Sequence, residues 1–247
     1  MIEFISDTHT YFSYLFNEDF LSGTSLIGKV KPYVDWDKKA GDKAKKIGTT
    51  KELLLQEWHD KKINSQILGT RIHSIKEDYY KQLKSLAIDG QSVKITWDLT
   101  NEKGNKYTES NILDNNTVYI EKLIFNNLYK VAGQADRIEV INNKINVYDY
   151  KTSEKIELRS YKSWEGKYQK LCSPLSHIED CNFNHYGLQL SLYAYMLSQH
   201  NPKLEVGDLV LEHLIMENGE IVGQQDYPIP YLKKEVVNLL NWYKSKK

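Results

Sequence analysis

The stretch Ala135-Asp-Arg-Ile-Glu-Val-Ile-Asn142-Asn143-Lys-Ile-Asn-Val-Tyr-Asp149-Tyr-Lys151 decides the fold. Two alternating apolar runs meet at Asn142-Asn143, and Asn tolerates the positive φ that tight hairpin turns require. With a two-residue loop, facing residues have numbers summing to 285. Ile141 then faces Lys144, Val140 faces Ile145, and Ile138 faces Val147. Continuing that register sets Asp136 opposite Asp149. Because side chains repeat every second residue, Asp136, Ile138, Val140, Ile145, Val147, Asp149 and Lys151 share one face. The apolar part of that face predicts a core. At its end two carboxylates meet at roughly 5 Å between Cβ atoms, with a lysine about 7 Å further along.

Like charges directly opposed destabilise a sheet, so something must offset this pair. A divalent cation between the carboxylates does so, and oxygen or oxygen-plus-imidazole sites suit Mg²⁺ or Mn²⁺. Lys151 then has three roles open to it: orienting a water, deprotonating it, or neutralising charge on a phosphate. The plainer alternative is a solvated hairpin end with Asp136 paired to Arg137 or Lys151.

Outward from the hairpin, Ile67, Ile72, Ile75, Tyr79, Leu83 and Leu86 recur at mostly three- and four-residue steps. They predict a helix from Asn64 to about Ile88, ended by Asp89-Gly90. His73 and Glu77 share a face of it, either as metal-ligating groups or as a surface couple. Residues 92–98 and 118–141 read as strands. A helix over about 184–199 is apolar on nearly every side and carries Gln189 and Tyr193 four residues apart, a core glutamine or a group presented to substrate. Leu209–Met216 and Ile221–Tyr227 form a second hairpin, and Tyr231–Tyr243 a last amphipathic helix. The order predicts an α/β (α+β) arrangement on a largely antiparallel sheet.

The whole chain has 247 residues, 33 basic and 33 acidic side chains, and 40% hydrophobic residues, which suits a globular domain with a sizeable core. No apolar run is long enough for a membrane span, and the start lacks a signal peptide's basic residues. Cys172 and Cys181 are too few for a disulfide scaffold, so a reducing cytoplasm is expected. Of the 33 basic residues only Arg71, Arg137 and Arg159 are arginine, which leaves little means of bidentate base reading. Between Lys29 and Lys51 there are eight Lys against three Asp, a solvated face or a phosphate-contacting arm. Lys38 and Lys39 in that run, with Trp36 and Trp164 as stacking groups, are the candidate substrate contacts. Cys172, His177, Cys181 and His185 crowd one loop, but their spacing fits no standard zinc site.

Taken together, Gly69-Thr-Arg-Ile-His73, Gly133-Gln-Ala-Asp136, Val147-Tyr-Asp149-Tyr-Lys151-Thr and Gln189-x-x-x-Tyr193 resemble the PD-(D/E)XK nuclease superfamily. The likeness is to its RecB-like branch, which contains the mitochondrial genome maintenance exonuclease and related phage exonucleases. Tyr148-Asp-Tyr-Lys-Thr-Ser-Glu-Lys155 carries it most specifically, and it covers roughly residues 65–200. The resemblance implies a restriction-endonuclease-like core, a central mixed sheet flanked by helices, with N-terminal and C-terminal helical additions. It implies one nuclease domain divided as 1–63, 64–217 and 218–247. It implies that His73, Asp136, Asp149 and the Tyr150 main-chain carbonyl hold Mg²⁺ or Mn²⁺. Glu77 stands where some relatives carry an additional acid, Lys151 is the catalytic lysine, and Gln189 and Tyr193 support the centre and DNA. The implied activity is a DNA exonuclease on linear, single-stranded or free-ended DNA, with structure-selective endonuclease and non-catalytic recombination accessory as alternatives. A homo-oligomer, or a single-strand-binding or recombinase partner, is part of the same expectation, as is the host cytoplasm for a phage-borne chain. Two cysteines are too few for the iron–sulfur cluster of some RecB-like relatives.

Overall fold

A computed structural model describes all 247 residues. The hairpin at its centre is as the alternation predicts. β9 (Val131–Ile141) and β10 (Lys144–Lys151) pair antiparallel, with Lys144 opposite Ile141 and Tyr148 opposite Arg137. Asn142 and Asn143 both take positive φ, 50° and 60°. The 285 register therefore holds for five rungs. It stops one rung short of the aspartates. At that rung the Asp136 carboxylate, not a main-chain carbonyl, accepts the Tyr150 N–H at 2.6 Å.

On the other edge of β9 lies β8 (Thr117–Asn126), antiparallel along its whole length. β11 (Glu205–Glu217) runs parallel to β10, and β12 (Glu220–Ile229) forms the outer antiparallel strand. At the opposite side β5 (Gln91–Trp97) lies parallel to β8, and β4 (Ser85–Ile88) closes that edge. A sheet of parallel and antiparallel pairs results. Before it in the chain, residues 2–22 form three strands, where helical additions alone were expected: β1 (Ile2–Ile5), β2 (Thr10–Ser13) and β3 (Glu18–Ser22). β3 joins β9 in parallel at Leu21 and Ser22. The short β6 (Leu99–Thr100) and β7 (Lys106–Thr108) extend this meander beside β1.

Helices cover both faces. α4 (Asn182–His200) is buried on almost every side, as its composition demands. Together with α1 (Gly23–Gly28) and α5 (Lys233–Lys244) it packs on Ile138, Val140, Ile145 and Val147, the face read from the hairpin. α3 (Lys51–Gln82) lies on the other face, where Ile72 meets Tyr150 and Leu214, and Tyr80 meets Val118 and Ile120.

α3 differs from expectation at both ends. It begins thirteen residues before Asn64, capped by the Thr50 hydroxyl, and runs unbroken past residue 63. It stops at Gln82, and Leu86 lies in β4. Asp89-Gly90 is the turn of the β4–β5 hairpin, both residues having positive φ. Its buried row contains Ile72 and Tyr80, whereas Ile67, Ile75 and Tyr79 are exposed. Three- and four-residue spacing runs through both rows, so periodicity alone does not choose between them.

Candidate active site

β9 binds β10 only up to Arg137 and β3 only from Val131–Ala132, while β8 occupies its whole other edge. Gly133 to Asp136 thus face a gap between β10 and β3, which opens into a cleft of about 510 Å³. His73, Glu77, Glu121, Gln134, Asp136, Asp149, Lys151, Gln189 and Tyr193 all line it.

Three carboxylates lie side by side across three strands. In register, Asp136 of β9 is flanked by Asp149 of β10 and by Glu121 of β8, and neither flanking rung is formed by main-chain bonds. All three are buried, Asp149 to 2% exposure. Glu121 has φ 52°, a conformation costly for a residue with a Cβ and one that concentrates at functional sites. Beyond it the alternation of β8 changes phase. Tyr119 and Ile124 face the α4 core, while Leu123 and Phe125 face the N-terminal meander. Asp98 anchors this distortion, accepting from the Leu123 N–H and the Lys122 ammonium, each at 2.5 Å.

The sequence reading missed Glu121. Its signal was the pair Glu121-Lys122 inside the apolar run Val118–Phe125, since adjacent charges cannot both face outward from a buried strand.

His73 reaches this row from α3. Its Nδ1 lies 3.1 Å from Glu121 Oε1 and 3.6 Å from Asp136 Oδ1. Gln134 donates to the other Glu121 oxygen. Ligand atoms of His73, Glu121 and Asp136 lie within 4.8 Å of one another, a set of one imidazole and two carboxylates that fits a hard divalent cation. Asp149 stands beside it, one oxygen against the Lys151 ammonium and the other accepting from Gln189 Nε2 at 3.3 Å. Gln189 Nε2 also donates to the Tyr193 hydroxyl at 3.2 Å.

Charge within the cleft follows from burial and these neighbours. Burial opposes the His73 imidazolium, but Glu121 and Asp136 outweigh it and raise its pKa to about 9. Burial first, then the Asp149 charge, pushes Asp136 well above the usual carboxylate range. Lys151 also resists burial through Asp149 and Asp136, so its pKa is raised and it is a cation at neutral pH. That charge suits two of the three roles, orienting a water and neutralising a phosphate.

A cation entering here displaces protons from His73 and Asp136. Mn²⁺ binding at neutral pH is therefore expected to release about one to two protons and to tighten as pH rises toward 9. Titration calorimetry in buffers of different ionisation enthalpy measures this, and a heat independent of the buffer contradicts it.

Tyr193 explains Gly133. A Cβ on Gly133 would lie 2.4 Å from Tyr193 Cε1, and one on Gly23 would lie 3.3 Å from the same atom. Both glycines abut one buried ring edge. Gly133→Ala is expected to cost about 2 kcal/mol, lowering Tm by roughly 4–8 °C, and to disturb Gln189 through the displaced ring. An unchanged thermal melt would show that the ring has room to retreat.

Of the other expected site residues, Glu77 lines the cleft, the Tyr150 main chain meets Asp136, and four lie outside the cleft. Glu77 is in the cleft but is held by Lys81 and Lys106, each at 3.2 Å, and stays outside the cluster. Tyr150 lends its N–H to Asp136 while its ring packs on the opposite face. Trp36, Lys38 and Lys39 lie on α2 (Trp36–Ile47) and Trp164 in the loop before α4, none of them lining the cleft. The cysteine–histidine loop does not converge: His177 pairs with Glu235, His185 with Asp180, and Cys181 is buried while Cys172 is exposed. No helix is long and apolar enough to cross a membrane.

Residues 46–241 match the family model described as PD-(D/E)XK nuclease superfamily. No curated protein matches the chain. Among solved structures it is similar to one named "Crystal structure of SSO0001", at 15% identity over 92% of this chain and 76% of that chain. The TM-score is 0.33, too low to carry any argument.

Proposed function

The chain belongs to the PD-(D/E)XK nuclease superfamily, and from that premise we propose that it is a DNA exonuclease of the RecB-like kind. It hydrolyses phosphodiester bonds of linear DNA from free ends with Mg²⁺ or Mn²⁺, in replication, recombination or DNA breakdown. The observation that carries this reading is the row Glu121–Asp136–Asp149, with His73 at one end and Lys151 at the other, in one open cleft.

His73, Glu121, Asp136 and Asp149 would hold the cation. When bound, it supplies Lewis-acid chemistry, polarising a phosphoryl oxygen and acidifying water. Without it, three buried carboxylates face the His73 imidazolium and one ammonium, and burial with the Asp149 charge raises the Asp136 pKa. Lys151 keeps its charge in the cleft and stabilises the negative charge that builds on the phosphate during in-line attack. Gln189 fixes Asp149, and Tyr193 fixes Gln189, so the acid beside the lysine is oriented before substrate arrives.

The same centre serves an exonuclease or an endonuclease. The exonuclease reading is supported by the likeness of Tyr148–Lys155 to end-processing relatives and by the scarcity of arginine for reading base edges. The test is digestion of 5′- and 3′-labelled linear and circular DNA, single and double stranded, with Mn²⁺, Mg²⁺ or chelator. Resistance of circles and loss of one end label first are expected. Cleavage of circles at the linear rate would make it an endonuclease, and no metal-dependent cleavage would end the nuclease reading.

A further inference from the structure

α2 is a basic helix that the centre does not use. It carries Lys38, Lys39, Lys43, Lys45 and Lys46 against Asp37 and Asp42. It packs on the first half of α3 through Ala40, Ala44 and Leu54, joined by Leu55 and Trp58. On its surface Trp36 meets Trp58 edge to face, with ring centroids 5.8 Å apart. The Lys39 ammonium lies 4.9 Å from the Trp36 ring and that of Lys43 lies 5.5 Å from Trp58. Trp36 is 56% exposed, although burial is the usual fate of such a side chain. Lysines interleaved with an open indole are the elements of a sequence-tolerant single-strand platform.

α3 connects this platform to the cleft. Leu55, Trp58, Lys62, Gln66, Gly69 and His73 follow one another by three or four residues and so form one stripe of the helix. α2 sits at one end of the stripe, and His73 enters the row of acids at the other. Between them Lys62 and Gln66 are exposed. Gly69 is the least favourable residue but proline for a helix interior, yet a Cβ there would meet nothing within 4 Å. Packing within the protein gives no reason for this glycine. A ligand crossing the helix at that point gives one.

We propose that the α2–α3 hairpin is an arm that holds single-stranded DNA. The strand leaving the cleft crosses α3 at Gly69 and passes Lys62. Lys39 and Lys43 then contact its phosphates, and an unpaired base stacks on Trp36. Fifteen residues of helix between Trp58 and His73 span about 22 Å. At the duplex spacing of about 3.4 Å per nucleotide that distance is about seven nucleotides, and an extended single strand covers it in fewer. The direction of the track rests on the nuclease reading of that cleft; the platform itself does not.

The test is fluorescence anisotropy with labelled oligothymidylates of 30 and 4 nucleotides, in chelator so that nothing is cut. K39Q/K43Q is expected to weaken binding of the 30-mer at least ten-fold and of the 4-mer less than two-fold. It should also reduce the slope of log Kd against log salt by about 1.4, from about 0.7 for each lost contact to a single strand. Trp36→Ala should weaken the 30-mer at least five-fold. Wild-type Kd for the 30-mer in both variants, or equal loss for the 4-mer, overturns the arm. Tighter wild-type binding of a blunt duplex than of the single strand overturns the choice of strand. A wild-type chain that binds the 30-mer but cuts no DNA in Mg²⁺ or Mn²⁺ sinks the nuclease reading alone.

Discussion

Asp149→Ala abolishes metal-dependent cleavage of linear DNA, a loss of at least about a thousand-fold in rate, or about 4 kcal/mol of barrier, while the chain still folds and binds DNA. The aspartate acts in two ways at once. Its carboxylate is one of the three across the strands, and it is the partner of the Lys151 ammonium. Removing it leaves that ammonium with Asp136 as its remaining acidic neighbour, which destabilises the fold by up to roughly 3 kcal/mol on the scale of broken buried pairs. Asp149→Asn keeps the shape and the contact to Gln189, and it should lose activity to a similar extent with a smaller change in Tm. Full activity of the alanine variant in both Mg²⁺ and Mn²⁺ would show that the centre is assigned wrongly.

Glu121→Gln is expected to weaken Mn²⁺ binding by ten- to a hundred-fold, roughly the range for residues that tune a metal site. Cleavage at limiting metal should fall at least as far and recover in part when Mn²⁺ is raised. The variant should fold, because glutamine keeps the length of the side chain and a hydrogen bond to Gln134. The prediction separates two explanations of the strained residue at that position. If Glu121 merely relieves a twist between β8 and β9, calorimetry will show an unchanged Mn²⁺ affinity. If it is a ligand, affinity falls while the melt barely moves.

Much of the centre was legible in the chain because β9 and β10 form a short-range hairpin. A two-residue turn fixes register, register fixes faces, and so Asp136, Asp149 and Lys151 could be placed together before any coordinates. Glu121 was not legible in that way. The strand that carries it pairs with β9 through a different turn, and its alternation changes phase at the residue that matters. α3 gave a similar lesson. The spacing of Ile67, Ile72, Ile75 and Tyr79 announced a helix, but the face it buries depends on where the sheet lies.

From the chain alone came the fold class, the paired aspartates with their lysine, His73 on its helix and Gln189 with Tyr193 on another. The strand and helix faces follow from local geometry, a period of two or of three to four residues and the chemistry of a turn, whereas the choice of His73, Gln189 and Tyr193 as site residues rested on the family resemblance. Tertiary structure alone decided that a third acid completes the row, that Glu77 is occupied by lysines, and that Tyr193 lies against two glycines distant in sequence. It also decided that a basic helix lies along the stripe that leads to His73. Those facts depend on segments far apart in sequence meeting in space, and electrostatics and packing between them act only once the sheet is assembled.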